Sequence, residues 1–273
     1  MPTQRIYSKN AAYQKFEVLK TNRNKRHRYG EFFVEGVRNI NGALRGGWHI
    51  CSFLYAGEAP LSGWAQDLLE TVRTDENYQL SAALMQELSA KADTSELLAV
   101  VRMRAEDPAQ LRLSATPLIA LFDRPSNHGN LGTVLRSCDA LGVEALLITG
   151  HAVDLYEPEV VAASMGSFFA VPALRIAENE AVFAYLEGLK ARYPGCQVIG
   201  TTAHRQTAIS DIDLTRPTVL MIGNETDGLC RAFAEYCDAL ATIPMAAEAS
   251  ASSLNVGCAA TVLFYEAARQ RGR

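Results

Sequence analysis

The strongest constraint on the fold lies in the second half of the chain, where short apolar runs alternate with segments of helical periodicity. PLIALF (117–122) is a strand-sized apolar run. LGTVLRSCDALG (131–142) then places Leu131, Val134, Leu135, Cys138 and Leu141 at helical spacing and ends on glycine. EALLITG (144–150), FFAVPAL (168–174), CQVIGTT (196–202), TVLMIG (218–223) and LATIPM (240–245) read as further extended segments. Helices are expected over 157–165, 179–193, 229–237 and 253–272. Strands alternating with helices predict an α/β domain with a mainly parallel sheet covered on both faces. Such sheets bind ligands beyond the carboxyl ends of their strands. The loops there are DRPSNHGN (123–130), GNETDG (223–228) and PMAAEASAS (244–252).

Residues 5–105 read as a separate, smaller α/β unit. Helices are expected over 11–19 and 37–44, the second ended by Gly46-Gly47, and strands over EFFVEG (31–36) and ICSFLYAG (50–57). RAEDPAQLRLSATP (104–117) is polar, carries two prolines and reads as a linker. The expected organisation is a first domain over 1–106, a linker over 107–116 and a second domain over 117–273.

The 273-residue chain has a net charge of −4, which hides an asymmetry. Residues 1–46 hold ten Lys/Arg against three acids, Glu17, Glu31 and Glu35, giving +7; the remaining sixteen basic and twenty-seven acidic residues give −11. A basic end on an acidic body is a footprint for phosphate contact, although a solvated helix face has the same composition. Lys25, Arg26, Arg28 and Arg38 are the candidates for contact with nucleic-acid phosphates. The six cysteines form no CxxC pair and have no histidine at finger spacing, so reduced thiols and no metal centre are expected. MPTQRIYSKN leads into no apolar run, and the longest apolar stretches are strand-sized. A cytoplasmic protein without a membrane span is expected.

Each of the three loops has an ordinary reading. In DRPSNHGNLGTVLR, Gly129 and Gly132 permit close backbone approach and Asn130 is a good helix cap. Arg136 follows in an otherwise apolar helix, either reaching a surface acid or aimed at an anionic ligand. NETDG has turn composition. Ser252 or Ser253 suits the cap of the last helix. None of the loops is a P-loop, and GNLG is not the GxGxxG of dinucleotide sites.

Together, however, the loops resemble the SpoU/TrmH family of SPOUT RNA methyltransferases. Asn130-Leu131-Gly132 to Arg136 is similar to that family's N-x-G-x-x-x-R motif. Gly223-Asn224-Glu225-Thr226-Asp227-Gly228-Leu229 is similar to G-x-E-x-x-G-L. Ile243-Pro244-Met245 with Ser253-Leu254-Asn255-Val256 is similar to I-P-M followed by S-L-N-V. ASMGSFFAVP (163–172) resembles the family's small-residue stretch. IYSKN and the basic residues before EFFVEGVRNINGAL resemble its substrate-binding domain. The loop from Met245 to Ser253 is about two residues longer than usual and lacks a glycine after I-P-M, and Ala162 stands where a basic residue is common.

The resemblance implies S-adenosylmethionine held in a C-terminal trefoil knot, a feature that pattern alone would never predict. It implies Thr201, Thr202, Gly223, Asn224, Gly228, Ile243, Met245 and Leu254 around the cofactor. It implies methyl transfer to a ribose 2′-OH of rRNA or tRNA, rRNA being favoured, with Arg136 as the catalytic candidate and Asn130, Glu225, Ser253 and Asn255 around it. His128 is an alternative base by residue type. A homodimer through the C-terminal domain is implied as well. Two competing readings are a non-catalytic RNA-binding protein that kept this fold and a nucleotide-dependent Rossmann-type enzyme.

Overall fold

The computed structural model describes residues 2–58, 60–89, 93–204 and 206–272. The chain divides into two compact units: Met1–Ala105 with Asp154–Ala170, and Glu106–Val153 with Val171–Arg273.

The first unit begins with β1 (Thr3–Ile6), α1 (Ala11–Thr21), α2 (Arg23–Tyr29), β2 (Glu31–Glu35) and α3 (Val37–Arg45). It continues through β3 (Ile50–Ala56), α4 (Gly63–Thr71), β4 (Asn77–Leu80), α5 (Ala82–Leu88) and β5 (Leu97–Arg102). The strands form one mixed sheet in the order β1-β4-β3-β5-β2. Side chains alternate faces along β2, and both faces are covered. Phe33 faces a core with Tyr13, Phe16, Leu54 and Val100. Phe32 turns the other way, into an aromatic cluster with Trp48, Tyr156, Phe168 and Phe169.

The second unit starts with β6 (Leu118–Asp123), α6 (His128–Leu141) and β7 (Ala145–Thr149). The chain then enters the first unit with α7 (Pro158–Ala163) and a 3-10 turn at Ser167–Phe169. It returns for β8 (Ala173–Ile176), α8 (Asn179–Arg192), β9 (Gln197–Thr201), β10 (Thr207–Ala208), β11 (Thr218–Ile222), α9 (Arg231–Tyr236), β12 (Ala239–Thr242) and α10 (Val256–Gln270). The seven strands are all parallel, in the order β10-β12-β9-β11-β6-β7-β8. β6, β7 and β11 are buried along their whole lengths, as continuous apolar runs in a doubly covered parallel sheet require. One face packs Ile119, Leu121, Leu147, Val198 and Met221 against Val182, Leu186 and Phe233 of the covering helices.

Several expected boundaries shift. The excursion of Asp154–Ala170 into the first unit has no counterpart in an organisation with a single linker. The helix expected over 157–165 stops at Ala163, because Met165 (φ 54°) and Gly166 (φ 102°) turn left-handed. The strand expected over 168–174 begins only at Ala173, and Phe168 and Phe169 lie in the 3-10 turn.

Candidate active site

The chain leaves β6 through α6 to β7 on one side, and leaves β11 through α9 to β12 on the other. β6 and β11 are neighbours, so their connections diverge at the carboxyl edge and open the crevice where doubly wound sheets hold ligands. Two of the three loops leave the sheet here, and the third runs from β12 to α10, which packs on α6.

The first loop opens α6. Asn127 caps this helix, its side-chain oxygen accepting from the Asn130 N–H at 2.9 Å. The cap expected at Asn130 therefore lies three residues earlier, and His128 is the first helical residue. Both asparagines suit a cap. Freed from capping, the Asn130 side chain donates to Glu225 Oε1 at 3.2 Å.

Glu225 binds the first loop to the second. Its Oε2 accepts from the Ser126 N–H at 2.9 Å and the Ser126 hydroxyl at 2.8 Å, and its Oε1 also accepts from the Asn127 N–H at 3.1 Å. Desolvation pushes this carboxyl up most strongly of any single influence. Hydrogen bonds from the Ser126 and Glu225 N–H groups, the Ser126 hydroxyl and Asn130 outweigh it and hold the pKa below the ordinary carboxylate value.

The third loop joins through Asn255, which caps α10: its Oδ1 accepts from Gly257 N at 2.9 Å and Cys258 N at 3.4 Å. The cap is thus Asn255 rather than Ser252 or Ser253. The Asn255 amide donates to Asn130 Oδ1 at 3.2 Å. These bonds set the amide orientations along the chain. The helix N–H groups take the Asn255 oxygen, so its NH₂ faces Asn130, whose own NH₂ then faces the carboxylate. Below this junction α10 packs on α6, with the Ser137 and Thr261 hydroxyls 2.7 Å apart. The close approach needs Gly257, where a Cβ would sit 2.9 Å from Thr133 Cγ2.

Arg136 is exposed on α6, six residues beyond Asn130, which is about 9 Å along a helix axis. Ser253 is exposed in the third loop. Neither belongs to the Glu225–Asn130–Asn255 chain, so within one chain the structure unites three of the five expected catalytic residues.

Of the residues expected around the cofactor, Thr201, Thr202, Gly223, Asn224, Gly228 and Ile243 lie at or just beyond the carboxyl ends of β9, β11 and β12, while Met245 and Leu254 belong to the segment between β12 and α10. Thr201 donates its hydroxyl to Met221 O at 2.9 Å, and the Thr202 N–H donates to Ala241 O at 3.0 Å. Gly223 is buried, and a Cβ there would meet the Gly228 carbonyl carbon at 2.2 Å, so no side chain fits. Asn224 is spent locally: it donates to Arg124 O at 2.6 Å and accepts from Thr226 N and Asp227 N. Its backbone exchanges hydrogen bonds with Gly228, which has φ 69°. Ile243 is half-buried, while Met245 and Leu254 are 38% and 39% exposed.

Asp123 and Arg124 also belong to this edge of the sheet, although no motif marks them. Asp123, 1% exposed, accepts from Arg124, Thr149 and Cys230 N. The signal was an acid at the end of an apolar strand, which a buried sheet does not tolerate unpaired.

In the first unit Arg28 and Arg38 are exposed and Lys25 is half-buried. Arg26 corrects the expectation of RNA contact. It is fully buried, bonded to Asp154 at 2.7 Å, to Glu157 and to the carbonyls of Leu19 and Lys20, both at 3.1 Å. His49, Cys51 and Asp75, scattered in sequence, bring one ligand atom each within 4.8 Å of one another, and Arg102 already pairs with Asp75 at 2.8 Å. Among the described residues no helix is long and apolar enough to cross a membrane.

Residues 117–265 match the SpoU rRNA methylase family, and residues 10–99 match the SpoU L30e-like domain. The chain is 45% identical to the 23S rRNA (uridine(2479)-2′-O)-methyltransferase of Streptomyces viridochromogenes, over 98% of this chain and 92% of that one. It is 26% identical to the 23S rRNA (guanosine(2553)-2′-O)-methyltransferase of Bacillus subtilis, over 94% and 96%. The crystal structure of the SpoU methyltransferase AviRb from Streptomyces viridochromogenes in complex with AdoMet superposes with a TM-score of 0.91 at 44% identity, over 96% of this chain and 98% of that one. The chain belongs to the SpoU rRNA methylase family.

Proposed function

We propose that the protein transfers a methyl group from S-adenosylmethionine to a ribose 2′-OH of large-subunit ribosomal RNA. The observation that carries this reading is the Glu225–Asn130–Asn255 chain, which locks all three family motifs together at the switch point of the sheet. Relatives over nearly the whole chain act on 23S rRNA, and the basic first unit supports an RNA substrate.

The cofactor supplies a methyl group on a positively charged sulfur. The residues that would hold it are Gly223, Gly228, Ile243, Met245 and Leu254 with Thr201 and Thr202, with Asn224 shaping the turn. The ribose hydroxyl must lose its proton as the methyl arrives. Glu225 is a poor acceptor for it, with four hydrogen bonds and a pKa held low. It instead orients the Asn130 amide, and the second N–H of each asparagine NH₂ remains to bind ribose oxygens. Arg136 stays protonated, stabilising the developing oxyanion or gripping the adjacent phosphate, which takes the proton. Ser253 holds the ribose from the third loop. Lys25, Arg28 and Arg38 contact phosphates. Substituting Arg136 by alanine tests the assignment: methyl transfer falls about 10²-fold or more while cofactor affinity holds. Full transfer by that variant contradicts it.

A homodimer through the C-terminal domain completes the reading. Cys258, Val262 and Tyr265 form an exposed stripe on α10, with Val262 39% and Tyr265 58% exposed, as an uncovered helix face does when a partner buries it. Arg136 lies away from its own chain's junction, as expected of a residue completing a site with a second copy. A trefoil knot is supported by the path from β12, beyond β9, back to α10 on α6. The protein works in the cytoplasm, where ribosomal RNA is.

A further inference from the structure

Arg124 stands immediately after β6 with φ 50°, a left-handed conformation that side chains other than glycine rarely adopt. Its surroundings hold it there. Its N–H donates to Thr149 O at 3.3 Å. Its side chain crosses Gly150, where a Cβ would come within 2.7 Å of Arg124 Cγ. Its guanidinium makes a two-pronged contact with buried Asp123, at 3.0 Å from Nε and 2.9 Å from Nη2. A strained residue secured from several sides points to a task that the strain serves.

The task is visible in what Arg124 touches on the other side. Its carbonyl accepts from the Asn224 amide at 2.6 Å, and Nη2 also donates to Gly228 O at 3.2 Å. Asn224 and Gly228 are the two ends of the turn after β11, closed on each other by a reciprocal backbone pair. Arg124 therefore grips this turn at both ends, with its backbone on one and its guanidinium on the other. Asp123 adds a third hold through Cys230 N at 2.8 Å, where the turn runs into α9.

We propose that Arg124 is a positioning residue for the cofactor. It fixes the turn at Gly223–Leu229, and through it the backbone groups that hold S-adenosylmethionine, without touching the reacting atoms. The proposal rests on the reading of that turn as part of the cofactor seat. It requires the guanidinium fork specifically. A lysine ammonium is a point donor and does not span Asp123 and Gly228 with the same geometry.

The test uses the full chain with Arg124→Gly, which accepts the left-handed backbone without strain, and Arg124→Lys. Cofactor affinity is measured by calorimetry, KM for S-adenosylmethionine and kcat at saturation by methyl transfer to 23S rRNA, and folding by thermal melting. In Arg124→Gly, Kd and KM rise about tenfold, the loss of one charged hydrogen bond, while kcat at saturation stays within about twofold. Arg124→Lys gives an intermediate Kd and carries the test alone if Arg124→Gly does not melt cooperatively. A folded variant that binds the cofactor as wild type does, or that loses kcat with KM unchanged, overturns the proposal. Wild-type protein that binds no S-adenosylmethionine overturns the reading of the cofactor seat instead, and the proposal with it.

Discussion

The Asn255 amide donates to the Asn130 side-chain oxygen across 125 residues of sequence, at 3.2 Å. The same Asn255 oxygen caps α10. One side chain thus starts a helix and orients a neighbour in the crevice, and the two roles can be separated. Aspartate keeps the capping oxygen but presents Asn130 with an acceptor in place of a donor. Asn255→Asp is expected to melt close to wild type and lose methyl transfer more than about tenfold. Asn255→Ala should also lose about 1 kcal/mol of stability. Thermal melts and initial rates on the two variants check both halves.

Glu225 makes the junction sensitive to acid. Its folded pKa lies below the ordinary value of 4.5. The stability it contributes is therefore fully present above that value and is lost as pH falls through the folded pKa. Between pH 6 and 3 the melting temperature of wild type should fall further than that of Glu225→Gln, so the gap between them narrows. Parallel melting curves across that range would show that Glu225 contributes no such linkage.

Arg26 separates stability from RNA binding. Removing it leaves Asp154, 4% exposed, and the half-buried Glu157 without their cation, so Arg26→Ala should cost about 3 kcal/mol or more. Arg28→Ala, two residues on and on the exposed side of α2, should leave stability unchanged and weaken RNA affinity. Denaturant melts and binding curves to 23S rRNA fragments distinguish the two. Equal effects on RNA affinity at equal stability would restore Arg26 as a contact residue.

The order of strands and helices after 117 was legible because a doubly covered parallel sheet writes its strands as unbroken apolar runs, as in TVLMIG and ALLIT. The three crevice loops were legible as motifs, but which atoms meet was not. Asn127 and Asn130 are equally good caps by residue type, and only the position of Glu225, 95 residues beyond Asn130, decides between them. The basic cluster at 25–28 likewise gave no sign that Arg26 turns inward, since its acids are 128 and 131 residues away. In the first unit α2, α4, α5, β1, β4 and β5 carry no such pattern. These elements are mostly short, and their stability comes from packing rather than from local pattern.

The outer face of α10 should bury Tyr265 and Val262 in a dimer. Sedimentation at micromolar concentration is expected to show two copies of the wild type, and a monomer for Tyr265→Glu, which places a charge on the stripe. A monomeric wild type would contradict the proposed pairing.

Methyl transfer with the ribose located is the most direct test of the account. Purified protein is incubated with methyl-labelled S-adenosylmethionine and 23S rRNA, and the modified nucleotide is mapped by its resistance to alkaline cleavage. Label is expected at a 2′-O-methylated ribose in wild type and is lost in Arg136→Ala. Label on a base, or RNA binding by wild type with no label transferred, would contradict it.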